Sequence, residues 1–237
     1  MMEQTFTRPP SDWAALAEEQ LRALVAATNH THYRHNDLIL VRGEPIVGPT
    51  ALLSGAAYFF YDHPDHPERD DLAQLRWGGE ILMVSLVPGA WPVSLRAIGQ
   101  AVVAVIPFKP YEQIMQSTVG LGQLMLTAVV NQVLRDYERA AIHRGVVVDR
   151  LAALLRALAA YTGTRRQGGY LLDYPLRLTD LSTLIGAHPV ECSRALTALR
   201  ARGFVEKRPK FRLFLRGLEV VQPARHPVEL AFASELW

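Results

Sequence analysis

Thr179-Asp180-Leu181-Ser182-Thr183-Leu184-Ile185-Gly186-Ala187-His188-Pro189-Val190-Glu191-Cys192-Ser193-Arg194-Ala195-Leu196-Thr197-Ala198-Leu199-Arg200-Ala201-Arg202-Gly203 is the stretch that decides the fold. Leu181, Leu184 and Ile185 share one face of a short amphipathic helix, and Gly186 stops it. Pro189 opens a second helix, because its missing N–H costs nothing in a first turn. His188 stands at that helix's N-cap, a weaker choice than Ser or Thr. The second helix turns Cys192, Ala195, Leu196 and Leu199 inward. Its other face carries Glu191, Ser193, Arg194, Thr197, Arg200 and Arg202. Gly203 then turns the chain into Phe204-Val205, a basic tip Lys207-Arg208-Pro209-Lys210, and a second short strand at 211–215. The order is helix, turn, helix, two-stranded wing.

Charge supports a purpose for this unit. Residues 144–216 hold fourteen Lys/Arg against five Asp/Glu, or +9, while the rest of the chain is −7. A basic block in an otherwise acidic chain is the footprint of a module that meets phosphates. The second helix fits the ~12 Å major groove of duplex DNA, while the first helix and the wing hold phosphates.

Upstream, residues 149–161 read as another helix, with Leu151, Leu154, Leu155 and Leu158 on one side. The Gly-rich, charged stretch 162–169 reads as a loop, and a domain boundary falls near Gly145. Residues from about 111 to 144 form a long helix, in which Leu126, Val130, Val133 and Tyr137 recur at helical spacing. About thirty residues would span ~45 Å, enough to cover one domain and also meet a second chain. Before it come short apolar runs at 38–41, 51–53, 56–61, 72–76, 81–86 and 101–106, separated by Gly and Pro. That spacing predicts a small antiparallel barrel or jelly-roll-like β-roll. Residues 11–27 read as a helix capped by Ser11. The expected class is α+β: a roll at 1–110, a dimerisation helix at 111–144, a winged helix-turn-helix at 145–217, and an unassigned tail at 218–237.

Several classes drop out. The N-terminus lacks the basic start and apolar run of a signal peptide. The most apolar stretch, 120–134, is interrupted by Gln123, Asn131 and Gln132 and falls short of the ~20 residues that cross a bilayer. Cys192 is the only cysteine, which leaves no disulfide within the chain and no iron–sulfur cluster held by its cysteines. Paired-carboxylate, Gly-x-Ser-x-Gly and phosphate-loop signatures are missing. The expectation is a cytoplasmic, non-enzymatic protein.

The C-terminal third resembles the CRP/FNR family of bacterial transcription regulators. The resemblance rests on Asp149-Arg150-Leu151-Ala152-Ala153-Leu154-Leu155, on Leu181-Ser182-Thr183-Leu184-Ile185-Gly186 followed by Arg194, and on the order roll, long helix, winged domain. It covers about 37–215 and is weakest in the roll. It implies a homodimer on palindromic double-stranded DNA and contact with RNA polymerase. The candidate DNA-contacting residues are Thr179, His188, Pro189, Val190, Ser193, Arg194, Arg200, Arg208 and Lys210. Arg194 matches the family's base-reading arginine, which grips guanine O6 and N7. Ser193 matches a base-contacting position of the FNR-like branch. His188 stands where the family has a phosphate-touching Ser or Thr, and Arg208 and Lys210 match wing positions near the backbone. Val190 replaces a common base-reading glutamate, and Pro189 replaces an arginine. The first helix is about two residues short of the family pattern, since Thr179 lies seven residues before Gly186.

The family's cyclic-nucleotide pocket pairs Gly-Glu with Arg-Ser/Thr-Ala about ten residues on. Here Gly79-Glu80-Ile81-Leu82 matches the turn just before it, Met83-Val84 replace Gly-Glu, and Trp91-Pro92-Val93 occupy the arginine's region, with Arg96-Ala97 nearby. An apolar cassette holds a phosphate poorly, so cyclic AMP is not expected, and no other cofactor is indicated. The run Asp62-His63-Pro64-Asp65-His66-Pro67-Glu68-Arg69-Asp70-Asp71 and His30, His32 and His35 raise a divalent metal, but the run reads rather as a solvated hairpin loop; the alternative class is a metal-dependent, cupin-like barrel with a structural basic domain. Its usual His-x-His, Glu, His order on inward strands is not met, because His30 and His32 precede the predicted barrel.

Overall fold

The computed structural model describes residues 4–7, 28–63, 66–82, 88–117, 121–142 and 145–221. The predicted helix at 11–27, the Met83-Val84 substitution and most of the tail lie outside the described residues. The strands are β1 (Gln4–Thr7), β2 (Asn29–Tyr33), β3 (Leu38–Leu40), β4 (Thr50–His63), β5 (His66–Trp77), β6 (Glu80–Leu82) and β7 (Ser94–Val105). Helices α1 (Phe108–Ser117), α2 (Leu121–Ile142) and α3 (Val147–Thr162) follow. The C-terminal unit adds β8 (Thr164–Arg166), β9 (Gly169–Leu172), α4 (Leu178–Ile185), α5 (Pro189–Ala201), β10 (Val205–Lys207), β11 (Leu213–Arg216) and β12 (Leu218–Val221).

The roll is a sheet in the order β2-β7-β4-β5, with β3 on β7 and β6 on β4, all antiparallel. Two predicted strands, 51–53 and 56–61, are one. Strand β4 runs through Gly55 by shifting register between Leu52 and Ala56. The bulge changes which face each side chain takes. Leu52, Ala57 and Phe59 fill the roll with Trp91, Val93 and Leu95, whereas Ala56 joins the C-terminal core. His30 and His32 do not precede the barrel: they lie on β2, paired with Ala104 and Val102, and both are exposed.

Of the predicted thirty-residue helix the described residues give α1 and α2, while 118–120 and 143–144 lie outside them. Helix α2 has 22 residues, about 33 Å. Arg76 of β5 reaches it through a paired contact with Asp136, Nη1 to Oδ1 at 2.8 Å and Nη2 to Oδ2 at 3.4 Å. Leu126, Val130, Val133 and Leu134 on α2 are all exposed.

The C-terminal unit is built on α3, whose Leu151, Leu154, Leu155 and Leu158 are buried as the spacing predicted. The predicted loop at 162–169 is a β-hairpin. Strand β8 pairs with β9, and β9 with β11, so the wing belongs to a four-stranded sheet ordered β10-β11-β9-β8. The tail begins as β12, which pairs in parallel with β1.

The two units share one apolar cluster. Ala56, Trp77 and Ile98 of the roll pack with Leu155, Tyr174 and Leu184. The Trp77 and Tyr161 rings stack at 4.7 Å.

Candidate nucleic-acid interface

Helix α4 begins after Arg177, whose backbone N–H donates to Asp180 Oδ2 at 2.9 Å. This satisfies one donor at the helix start and puts a carboxylate where the dipole favours it. At the other end Gly186 adopts φ 59°, ψ 46°, a left-handed cap that a glycine enters without strain. Arg150 of α3 reaches across to this end and donates to the Ile185 carbonyl at 3.0 Å. A cation at a helix C-terminus is favourable, and here it also ties the turn to the core.

His188 caps α5 as its position implied. Its Nδ1 accepts from the Val190 N–H at 3.3 Å. Cys192, Ala195 and Leu199 anchor the inner face. Burial pushes the Cys192 thiol up to about 11, so it behaves as a small apolar residue. The outer face presents Val190, Ser193, Arg194, Thr197 and Arg200, all exposed. Positions 190, 193, 194 and 197 make one helical stripe. The Thr197 hydroxyl donates back to the Ser193 carbonyl at 3.0 Å. Thr197 belongs to this stripe by spacing alone, and helical periodicity could have added it to the candidate set. Pro189 is half-buried at the start of the helix, and Thr179 is exposed in the first turn of α4.

The wing is less uniform. Arg208 is engaged by Glu206 at 3.0 Å and lies 5.4 Å from the Phe214 ring centre. Lys210 and the exposed Phe211 adopt φ 59° and 60°. Such left-handed conformations cost a non-glycine residue of order 1–2 kcal/mol. Backbone bonds hold the turn, with Arg208 N–H to the Arg212 carbonyl at 2.9 Å and Leu176 N–H to the Phe211 carbonyl at 3.2 Å. Lys207 lies 5.5 Å from the Phe211 ring centre. Nothing in residue type announces Phe211 as a wing-tip residue, because its conformation is imposed by this turn.

The structure therefore brings His188, Val190, Ser193, Arg194 and Arg200 onto one helix. Thr179 sits on the helix before it, and Arg208 and Lys210 sit on the wing. In the roll, Trp91 and Val93 are buried in the core. Among the described residues no group of three or more His, Cys, Asp or Glu could hold a metal. No described helix is long and apolar enough to cross a membrane.

Residues 149–219 match the family pattern described as a Crp-like helix-turn-helix domain. No curated protein matches the sequence. Among solved structures, the global regulator CLP of Xanthomonas campestris is similar at 18% identity and TM-score 0.62, over 84% of this chain and 99% of that one. FixK2 of Bradyrhizobium japonicum matches at 17% identity and TM-score 0.62, covering 80% and 92%. A CRP-family transcriptional regulator of Thermus thermophilus matches at 19% identity and TM-score 0.64, covering 78% and 91%. At these identities the likeness concerns the fold, and the family pattern identifies the C-terminal unit. Residues 149–219 form a Crp-like helix-turn-helix DNA-binding domain, and over 78–84% of its length the chain has the fold of the CRP/FNR-type transcription regulators.

Proposed function

We propose that this protein is a homodimeric, sequence-specific regulator of transcription that reads a palindromic DNA site without cyclic AMP as its switch. One observation carries the reading: Arg194 stands exposed on the outer face of α5, between Val190 and Thr197, with no ion-pair partner among the described residues. A free guanidinium on a groove-sized helix is the best single reader of guanine. Val190, 51% exposed, is an apolar contact for a thymine methyl and gives no acceptor for cytosine N4. Thr179, His188, Lys210 and, once released from Glu206, Arg208 then face phosphates.

The exposed Leu126, Val130, Val133 and Leu134 favour a two-fold pairing of α2 helices, since such a stripe on a soluble chain marks an interface. Independence from cyclic AMP is favoured by Trp91 and Val93, which fill the region where a phosphate-binding arginine would stand. Contact with RNA polymerase, a cytoplasmic setting and the absence of catalysis belong to the same reading.

The test is selection of binding sites from a random duplex pool with full-length protein and no added nucleotide. The expected product is an inverted repeat with half-sites ~34 Å apart, bound by a sedimenting dimer. A monomer that enriches no sequence would overturn the reading. Micromolar cyclic AMP affinity in a calorimetric titration would overturn its nucleotide-independent part.

A further inference from the structure

Between the roll and the DNA-binding domain lies a seam whose polar contacts the DNA reading does not use. Tyr174, on the segment between β9 and α4, is 7% exposed, and its ring lies against Gly99 of β7. Gly99 has φ +70°, and a Cβ there would meet Tyr174 Cε1 at 2.8 Å. The glycine therefore serves twice: it permits the backbone turn and leaves the notch that seats the ring.

Thr162 gives its proton to the Leu158 carbonyl at 2.7 Å, so the Tyr174 hydroxyl donates to Thr162 Oγ1 at 2.7 Å. The ring is thus fixed to α3 at one end and to the roll at the other. His35 covers it from the roll side, with ring centres 5.0 Å apart. The His35 loop is itself pinned to β7, by Asn36 N–H to the Ala97 carbonyl and Ala97 N–H to the Asp37 carbonyl, both 3.0 Å.

His35 Nδ1 accepts from the Gly99 N–H at 3.1 Å. An imidazole that accepts at Nδ1 must be neutral, with its proton on Nε2. A second proton at Nδ1 would point at the Gly99 N–H and break that bond. The other groups facing the ring do not reverse this. Burial, the largest effect, disfavours the charged form; Asp180 and the Pro175 backbone favour it and Arg177 opposes it. Asp180 is already held by the Arg177 N–H. Tyr174 is neutral at every relevant pH, because burial pushes its hydroxyl up. Beside His35 a cavity of about 100 Å3, shared with Tyr58, Thr179 and Thr183, spans the two domains.

We propose that Tyr174, seated in the Gly99 notch and covered by His35, is the latch that fixes the angle of the DNA-binding domain on the roll. The latch opens when His35 takes up a proton. Gly99, Tyr174 and His35 are positioning residues: they reach DNA only through α4 and α5. The functional consequence rests on the DNA-binding reading above, but the latch itself does not.

The experiment uses full-length protein carrying Leu38→Cys on the roll and Arg166→Cys on the β8–β9 hairpin. Both sites are exposed, and the buried, high-pKa Cys192 does not compete for label. Spin-label distances are read with excess unlabelled chain, at about pH 7.5 and about pH 5, on either side of the free histidine value. One narrow distance is expected at the higher pH, and a second, broader population at the lower. His35→Asn keeps an acceptor for Gly99 without a titrating ring and is expected to hold the narrow distance at both. Gly99→Ala is expected to give the broad population at both, in a chain whose circular dichroism matches the parent. If it leaves about a tenth of molecules in the competent angle, DNA affinity falls about tenfold. The milder Tyr174→Phe tests the hydroxyl should Gly99→Ala fail to fold, and is expected to broaden the distance at the higher pH. A wild-type distance unchanged by pH, or a narrow distance in folded Gly99→Ala, overturns the latch. A chain that binds no DNA overturns the proposed function, while the distances still decide the latch.

Discussion

Arg194 and Lys210 both carry positive charge toward the same ligand, yet they should fail differently when removed. Arg194 lies on the exposed stripe of α5 that we propose faces the bases, so Arg194→Ala is expected to cost about 1–3 kcal/mol and to relax preference at one base pair. Competition shifts against half-sites altered one position at a time would read this. Lys210 projects from the wing turn, so Lys210→Ala should weaken all sequences alike and reduce the salt slope by about one. Titrations at several salt concentrations measure it. Equal effects of the two substitutions on specificity would contradict the docking. The outward placement of Arg194 was legible in the sequence because helical spacing alone separates it from Cys192 and Ala195. The engagement of Arg208 by Glu206 was not, since a two-residue separation in a hairpin fixes no contact until the turn geometry is known.

Among the elements, α5 depends on an uncommon cap. His188→Ala removes the Nδ1 acceptor from the Val190 N–H and should cost about 1 kcal/mol, in the range for lost N-caps. His188→Asn, a stronger cap, should retain or raise stability. Urea denaturation at about pH 7.5, with the imidazole neutral in both states, compares them. The turn Gly186-Ala187-His188-Pro189 announced this boundary, because glycine and proline restrict backbone angles wherever they occur. The β8–β9 hairpin gave no comparable signal. Thr164, Arg165 and Arg166 are all exposed, so no alternation of burial marks them as a strand. Only pairing with Tyr170 and its neighbours makes them one.

At the level of the whole molecule, the seam between roll and DNA-binding domain should make stability depend on acid. Burial holds His35 below the ordinary histidine value. The folded state then binds fewer protons than the unfolded one as pH drops. The stabilisation is therefore complete above about pH 6.5 and is lost as pH falls through the lowered folded value. Wild type should lose more melting temperature than His35→Asn between about pH 7.5 and about pH 5; equal losses would place the acid sensitivity elsewhere. The helix-turn-helix was readable from sequence alone, with the basic block around it and the apolar cassette at Trp91. Each depends on contacts within a few turns of chain or on residue chemistry that does not change on folding. Tertiary structure alone decided that Ala56, Trp77 and Ile98 complete the core of the other domain, that β1 pairs with β12, and that Gly99 is a socket for Tyr174. Those contacts join residues far apart in the chain. Which partner each face finds is settled by how the two domains pack, and no local pattern encodes that.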